Sequence, residues 1–276
     1  MITKKYYKLI RVSYEDQQYL TLTNTSGTVG GFSVSKSGNP SSSNLEYSLN
    51  GVDWTTYDLT NLPTVEVPID GHIYLRGNNS NGFNRSHNDY YKLAMSTSFT
   101  ASGNPFSLRN TDPATFGAYT RVLNAEFCGL FYESNITDAS GLVTSQITSV
   151  DNYGFRYMFF WCYGLTTPPD LSGVTSIGTY GCREMFASCN NLTTGPNLSN
   201  VTSIGSDSCY QMFIGCSLLS EVIAPNISTW NVYTFENWLA GAGTSATSTK
   251  IFKAPTGLEI PTGDSGIPSG WTRVDY

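Results

Sequence analysis

The strongest pattern along the chain is a hydrophobic one that recurs every 27 residues. Met158-Phe159, Met185-Phe186 and Met212-Phe213 keep that interval, as do Cys162, Cys189 and Cys216, and Leu165, Leu192 and Leu219. Segments 155–181 and 182–208 are identical at over half their positions, including a shared Leu-Thr-Thr-x-Pro-x-Leu-Ser-x-Val-Thr-Ser-Ile-Gly. A fixed period of this size means stacked supersecondary units, none of which buries its apolar face alone. Within a unit, Cys182, Met185, Phe186 and Cys189 fall at i, i+3, i+4 and i+7, which predicts one face of a short helix. Phe155, Met158, Phe159 and Cys162 repeat that face, and so do Cys209, Met212, Phe213 and Cys216. The threonines and β-branched residues that follow, cut by Pro and Gly, predict one or two brief strands.

A helix of about two to three turns plus short extended segments is the layout of a leucine-rich repeat. The frame reaches back to Ile147-Thr-Ser-Val150 and Leu130-Phe131, and forward to Trp238-Leu-Ala-Gly241, so four to five coils are expected over 125–243. Upstream, over 17–108, the pattern changes to alternation. Tyr19-Leu-Thr-Leu-Thr, Gly31-Phe-Ser-Val-Ser, Leu45-Glu-Tyr-Ser-Leu, Thr64-Val-Glu-Val-Pro and His72-Ile-Tyr-Leu-Arg are separated by turn signals such as Asn50-Gly51. Short strands at this spacing predict an antiparallel β-sandwich, which would also cover the first coil. Residues 1–16 read as an arm or first strand, 109–124 as a connector and 244–276 as a C-terminal cap. The expected class is thus β-rich α+β: a sandwich, then a short solenoid of helix-plus-strand repeats, then its cap.

Composition narrows the function. Charged residues are 13% of the chain and the net charge is −6, with no Lys/Arg stripe of the kind phosphate backbones require. Nucleic acid is therefore not an expected partner. No apolar run is long enough to span a bilayer, so membrane insertion is not expected either. Lys4, Lys5, Lys8 and Arg11 gather at the start, but no apolar stretch follows them as in a signal peptide.

The run Met-Phe-x-x-Cys-x-x-Leu-Thr-Thr-x-Pro-x-Leu, with Cys182 and Cys209 three residues ahead of its Met, resembles the BspA-like leucine-rich-repeat surface proteins of gut Bacteroidales and their phages. The resemblance extends to Leu45-Glu-Tyr-Ser-Leu-Asn-Gly-Val-Asp-Trp54, Ile73-Tyr-Leu-Arg-Gly-Asn78 and Gly103-Asn-Pro-Phe-Ser-Leu108, and to the closing Gly266-Ile-Pro-Ser-Gly-Trp271. It implies a sandwich ahead of the repeats and a surface module that binds host glycan or protein. It supplies no fixed site motif. Cell-surface members carry a secretion signal, and this chain opens Met1-Ile-Thr-Lys-Lys. A virion surface protein of a Bacteroidales phage, of tail-fibre or capsid-decoration type, is accordingly expected. Its partners would be other virion proteins and the host surface, with self-association left open. A bacterial adhesin is the alternative.

Candidate chemistry changes this little. The six cysteines show no C-x-x-C spacing and both histidines lie in the first half, so neither a metal nor another cofactor is expected. Cys182 and Cys189 are seven apart on the expected helix, about 10 Å along its axis, beyond disulfide reach. Buried free thiols are expected instead. Asp170, Glu184 and Glu221 occur singly, so the carboxylate pair of a glycan hydrolase is not evident and no enzyme is expected. Two stripes qualify for binding. One holds Thr166, Thr193 and Ser220 with Glu221 beside them. The other is the helix's outer side, where Phe160, Trp161 and Tyr163 exceed what an inward face needs, unless they pack under the first coil.

Overall fold

The structure, a computed structural model, describes residues 19–276. The N-terminal arm expected over 1–16 lies outside the described residues. Eight strands come first: β1 Leu20–Asn24, β2 Gly30–Ser37, β3 Glu46–Ser48, β4 Thr55–Thr56, β5 Val65–Val67, β6 His72–Arg76, β7 Tyr90–Met95 and β8 Phe99–Gly103. The order β8-β1-β6-β3-β4 makes one antiparallel sheet and β5-β2-β7 another. Leu20, Leu22, Ile73, Leu75 and Phe99 of the first share a core with Phe32, Val34, Val67, Leu93 and Met95 of the second. Alternation drives this, since every second residue of a strand points to the same side.

Two short 3-10 stretches, Pro105–Leu108 and Pro113–Ala118, lead into nine short strands. These are β9 Arg121–Val122, β10 Ile136–Leu142, β11 Ser149–Val150, β12 Ser176–Ile177, β13 Thr194–Asn197, β14 Ser203–Ile204, β15 Glu221–Ile223, β16 Lys250–Ala254 and β17 Trp271–Asp275. Here pairing is parallel and follows the repeat. Ser149 faces Ser176 and Ser176 faces Ser203 in the sheet β9-β11-β12-β14, while β13-β15-β16-β17 forms a second parallel sheet. The strand β10 pairs in parallel with β8, so the first coil extends a sheet of the sandwich.

The expected helices are absent, and with them the helix-plus-strand repeat of a leucine-rich-repeat solenoid. The chain is nearly all β, with 28% strand and 4% helical residues. What carries the Cys-Met-Phe-Cys face is a run of tight turns. In the second coil, Arg156, Met158, Phe160 and Cys162 donate their N–H three residues back, at 3.0–3.1 Å. The alternate residues Tyr153, Phe155, Tyr157, Phe159 and Trp161 instead donate to Thr179, Gly181, Arg183, Met185 and Ala187 of the next coil. An α-helix would send all of these bonds four residues back.

Every fourth residue of the run has positive φ: Tyr153, Tyr157 and Trp161, then Tyr180, Glu184 and Ser188, then Asp207, Gln211 and Gly215. A left-handed residue other than glycine costs roughly 1–2 kcal/mol, so the ladder between coils has to offset strain that a helix would not carry. Burial accordingly follows a four-residue period. Gly154 and Phe155, then Met158 and Phe159, are buried in adjacent pairs, followed by Cys162.

Equivalent side chains stack through the interior. The rings of Phe159, Phe186 and Phe213 lie 5.5 and 5.6 Å apart and within 3° of parallel. Phe131 extends the column at one end, and Trp238 meets Phe213 edge-on at the other. Cys162, Cys189 and Cys216 each point the thiol at the carbonyl of Phe131, Phe159 or Phe186 one coil back, at 2.9–3.1 Å. Outside, Thr148, Thr175 and Thr202 each donate their N–H to the preceding threonine carbonyl of the column that starts at Thr120.

Both ends of the stack are covered. The first coil's free carbonyls are taken by the sandwich: Asn84 donates its N–H to Glu126 O and its Nδ2 to Cys128 O, and Leu93 N–H reaches Leu130 O. The same Asn84 amide also bonds both backbone groups of Tyr91, so it is fully used inside the protein. Beside it Arg109 and Glu126 form a buried two-pronged ion pair, with Leu123 N–H on the same carboxylate. Burial pushes the Glu126 carboxyl up, and Arg109 opposes that shift. At the far end, Leu239 N–H meets Asp264 O, Asn237 N–H meets Ser265 Oγ, and Trp230 and Trp238 donate to Ser265 O and Gly266 O.

Two outcomes follow. Replacing Ser188 by glycine, the residue that the next coil holds at the equivalent Gly215, relieves a left-handed position and is expected to raise stability in urea by about 0.5–1 kcal/mol. In a helix the same change would lower it by about 0.5 kcal/mol, so the sign of the measured shift separates the two structures. Asn84→Ala strands buried backbone groups at the junction and is expected to cost about 2–4 kcal/mol. The exposed neighbour change Asn81→Ala should stay within about 0.5 kcal/mol in the same titration.

Candidate binding surface on the turn runs

Because the turn runs bury two residues in four, the other two point outward in columns of their own. One column runs His87, Tyr153, Tyr180, with ring centroids 4.0 and 5.0 Å apart and interplanar angles of 10° and 17°. Next to it stand two arginines one repeat apart. The Arg156 guanidinium lies 4.4 Å over Tyr157 and 5.6 Å over Tyr153, and that of Arg183 lies 3.9 Å over Tyr210 and 5.4 Å over Tyr180. A third column pairs Tyr132 with Phe160, stacked at 4.9 Å and 11°. Trp161 leans on Phe160 at 4.9 Å and on Tyr132 at 5.9 Å. Lys92, from β7, sits 4.6 Å over the Tyr132 ring and is bonded to Glu133 at 3.2 Å.

These rings are fixed by the backbone beneath them. Their Cα atoms belong to a continuous hydrogen-bond ladder, and each ring rests on its neighbour one coil away. Such a face is pre-organised, so a ligand meeting it loses little of its gain to ordering the protein. Burial sets the local electrostatics. It pushes the Tyr132 phenol up to about 12, with Glu133 adding to the effect. It lowers the His87 imidazole, helped by Arg156 and opposed by Asp89.

The residues singled out from sequence divide in two. Phe160 and Trp161 are brought together, with Phe160 half-buried against Tyr132 of the first coil and Trp161 exposed. Tyr163 follows the same run and is exposed. Thr193 and Ser220 lead directly into β13 and β15, Glu221 opens β15, and Thr166 holds the same position one coil earlier. There the hydroxyls serve the stack itself: Thr166 and Ser220 bond the carbonyls of Thr137 and Thr193, and Glu221 pairs with Lys253 at 2.8 Å. Sequence reasoning missed Tyr132, Tyr153, Arg156, Tyr157, Tyr180, Arg183 and Tyr210. The signal was present in Tyr153 and Tyr180, and in Arg156 and Arg183, each pair 27 apart, with Tyr153, Arg156 and Tyr157 at the i, i+3, i+4 spacing of one face.

Elsewhere an open cleft of about 370 Å³ runs along β9, β11, β12 and β14, lined by Ser149, Ser176 and Ser203 with Arg121 and Asp151. A second, of about 480 Å³, lies on the sandwich beside Tyr57, Asp58 and Tyr91. Each holds one carboxylate, where glycoside hydrolysis uses two.

The cysteines contribute no nucleophile to any of these surfaces. All six are free and buried. Burial pushes the thiols of Cys128, Cys162, Cys209 and Cys216 up to about 12, and those of Cys182 and Cys189 well above the usual thiol range. Since the thiolate is the reactive form, the native protein is expected to resist a disulfide-exchange reagent at pH 8, and all six thiols should titrate once guanidinium unfolds it. Reaction of the folded chain would show that the coils open. Set against family models, curated proteins and solved structures, the chain matches none of them.

Proposed function

We propose that the protein is a non-enzymatic attachment module whose contact surface is the aromatic and arginine face of the turn runs. One observation carries the reading. Trp161 and Tyr163 leave 37% and 54% of their surface in water beside half-buried Phe160, although the interior a few ångströms away is packed with rings. Large aromatic groups held rigidly at a surface are the usual anchors of protein hot spots, and their flat apolar faces suit sugar rings. The ligand class is a host-surface glycan or protein. The resemblance to surface proteins of Bacteroidales and their phages makes a virion, anchored through the N-terminal region, the location proposed first, with the bacterial envelope as the alternative.

The test joins binding to location. Labelled protein is applied to a panel of host-surface glycans and to host cells, and Trp161→Ala/Tyr163→Ala is expected to weaken capture by tenfold or more, about 1.4 kcal/mol, at unchanged thermal stability. Capture of the double variant equal to that of the parent would remove the ridge from the interaction. Mass spectrometry of purified particles should find the chain at a fixed copy number. Recovery from the bacterial envelope alone would move the same binding role to an adhesin.

A further inference from the structure

We infer that the ligand of this face is an acidic glycan, and that the Arg156 guanidinium is the group that receives its carboxylate. The inference deepens the proposed function and rests on it. Arg156 stands out among the described arginines. Arg76, Arg109, Arg121, Arg183 and Arg273 each meet a carboxylate, at Glu46, Glu126, Asp151, Glu184 and Asp275. Arg85 is bonded to the Ser42 carbonyl on the sandwich. Arg156 has no acid within ion-pairing distance among the described residues. It donates one bond, at 2.8 Å, to the Tyr157 hydroxyl, and its Nε is shielded from water without an acceptor.

The repeat itself provides the comparison. Arg183 occupies the same place one coil on, and the residue after it is Glu184, which neutralises it at 3.0 Å. After Arg156 the corresponding residue is Tyr157, an aromatic platform in place of an acid. So the stack carries two arginines of equal position and opposite state: one closed by its own carboxylate, one open. Beside the open one, Tyr153 and Tyr157 lie under the guanidinium and Phe160 and Trp161 follow one turn further along the same run.

Guanidinium is planar, permanently charged and matched in geometry to a carboxylate. Tyr153 and Tyr157 hold the guanidinium and are themselves packed, and it is exposed Trp161 and Tyr163, further along the same run, that offer the apolar contact a pyranose meets through its C–H groups. The chain as a whole carries a net charge of −6, so attraction for an acid has to come from a local group and not from the protein's overall field. An acidic peptide would use the charge but leave exposed Trp161 and Tyr163 without a flat partner, which favours the sugar.

The test compares a uronic-acid oligosaccharide with the same oligosaccharide after its carboxyls are reduced to alcohols, by titration calorimetry on the intact chain. The acidic form is expected to bind about tenfold more tightly or better, the scale of one charge-assisted hydrogen bond. Arg156→Gln should abolish that preference and keep the weaker binding of the neutral form, whereas Arg183→Gln should leave the preference in place. Melting temperature checks that both variants fold. Equal affinity for the two sugars, or an undiminished preference in Arg156→Gln, overturns the inference and leaves the attachment reading standing. A poly-glutamate peptide binding as tightly as the acidic sugar overturns it in favour of a protein ligand. Binding of none of the three overturns the inference, and the attachment reading then stands or falls on capture by the glycan panel and host cells.

Discussion

Alternate peptide N–H groups of the turn runs leave their own coil and bond the next, and the rest of the structure depends on that division. Residues such as Arg156, Met158 and Phe160 close tight turns within the coil, while Phe155, Tyr157 and Phe159 reach forward to Gly181, Arg183 and Met185. Every backbone group along the run is thereby satisfied, which a buried peptide requires. The cost is a left-handed residue at each fourth position. The ladder is also directional. It exposes carbonyls at its first coil and N–H groups at its last, and neither set is tolerable next to an apolar core.

That direction explains why the two ends are built so differently. The first coil needs donors, and the sandwich brings them in Asn84 and Leu93. The last coil needs acceptors, and the C-terminal segment brings Asp264 O and Ser265 Oγ. Trp230, Phe235, Trp238 and Phe252 close the interior there, with Trp238 meeting Phe213, Phe235 and Phe252 edge-on where the parallel Phe column ends. Once the coils are fixed at both ends, identical side chains at 27-residue spacing have no freedom but to stack, inside as Phe, Met and Cys and outside as Tyr and Arg.

Much of this was legible in the sequence. The 27-residue interval, the buried Cys, Met, Phe and Leu columns and the early strands around Leu20, Phe32, Val65 and Ile73 all follow from hydrophobic spacing. The local conformation of the repeat did not follow. Apolar residues at i, i+3, i+4 and i+7 fit a period of 3.6 and a period of 4 almost equally. From i to i+7 the two differ by about 70°, less than the width of an apolar face. Glycine at 129, 215 and 241, each spaced in step with a left-handed position, was the available hint. Tyr153, Arg156, Tyr157 and Phe160 stand at i, i+3, i+4 and i+7 and share a face on a helix and on the ladder alike; what the ladder adds is the coil-to-coil stacking that sets Tyr153 between His87 and Tyr180. Thr166, Thr193 and Ser220 looked like a binding stripe because they recur on an edge, yet recurrence there serves the coil-to-coil hydroxyl bonds.

The matching of each coil to the next has a consequence for how such a molecule changes length. An inner coil presents N–H groups forward and carbonyls backward in the same pattern as its neighbours, so it is an interchangeable rung between two specialised ends. Gain or loss of a whole 27-residue unit preserves both terminal fits. Each added rung would also lengthen the outward columns by one tyrosine and one arginine position. Duplication can therefore lengthen the contact face by whole steps without redesigning the fold, and a single exchange of the Tyr157 kind for the Glu184 kind decides whether a new step is open or closed to charge.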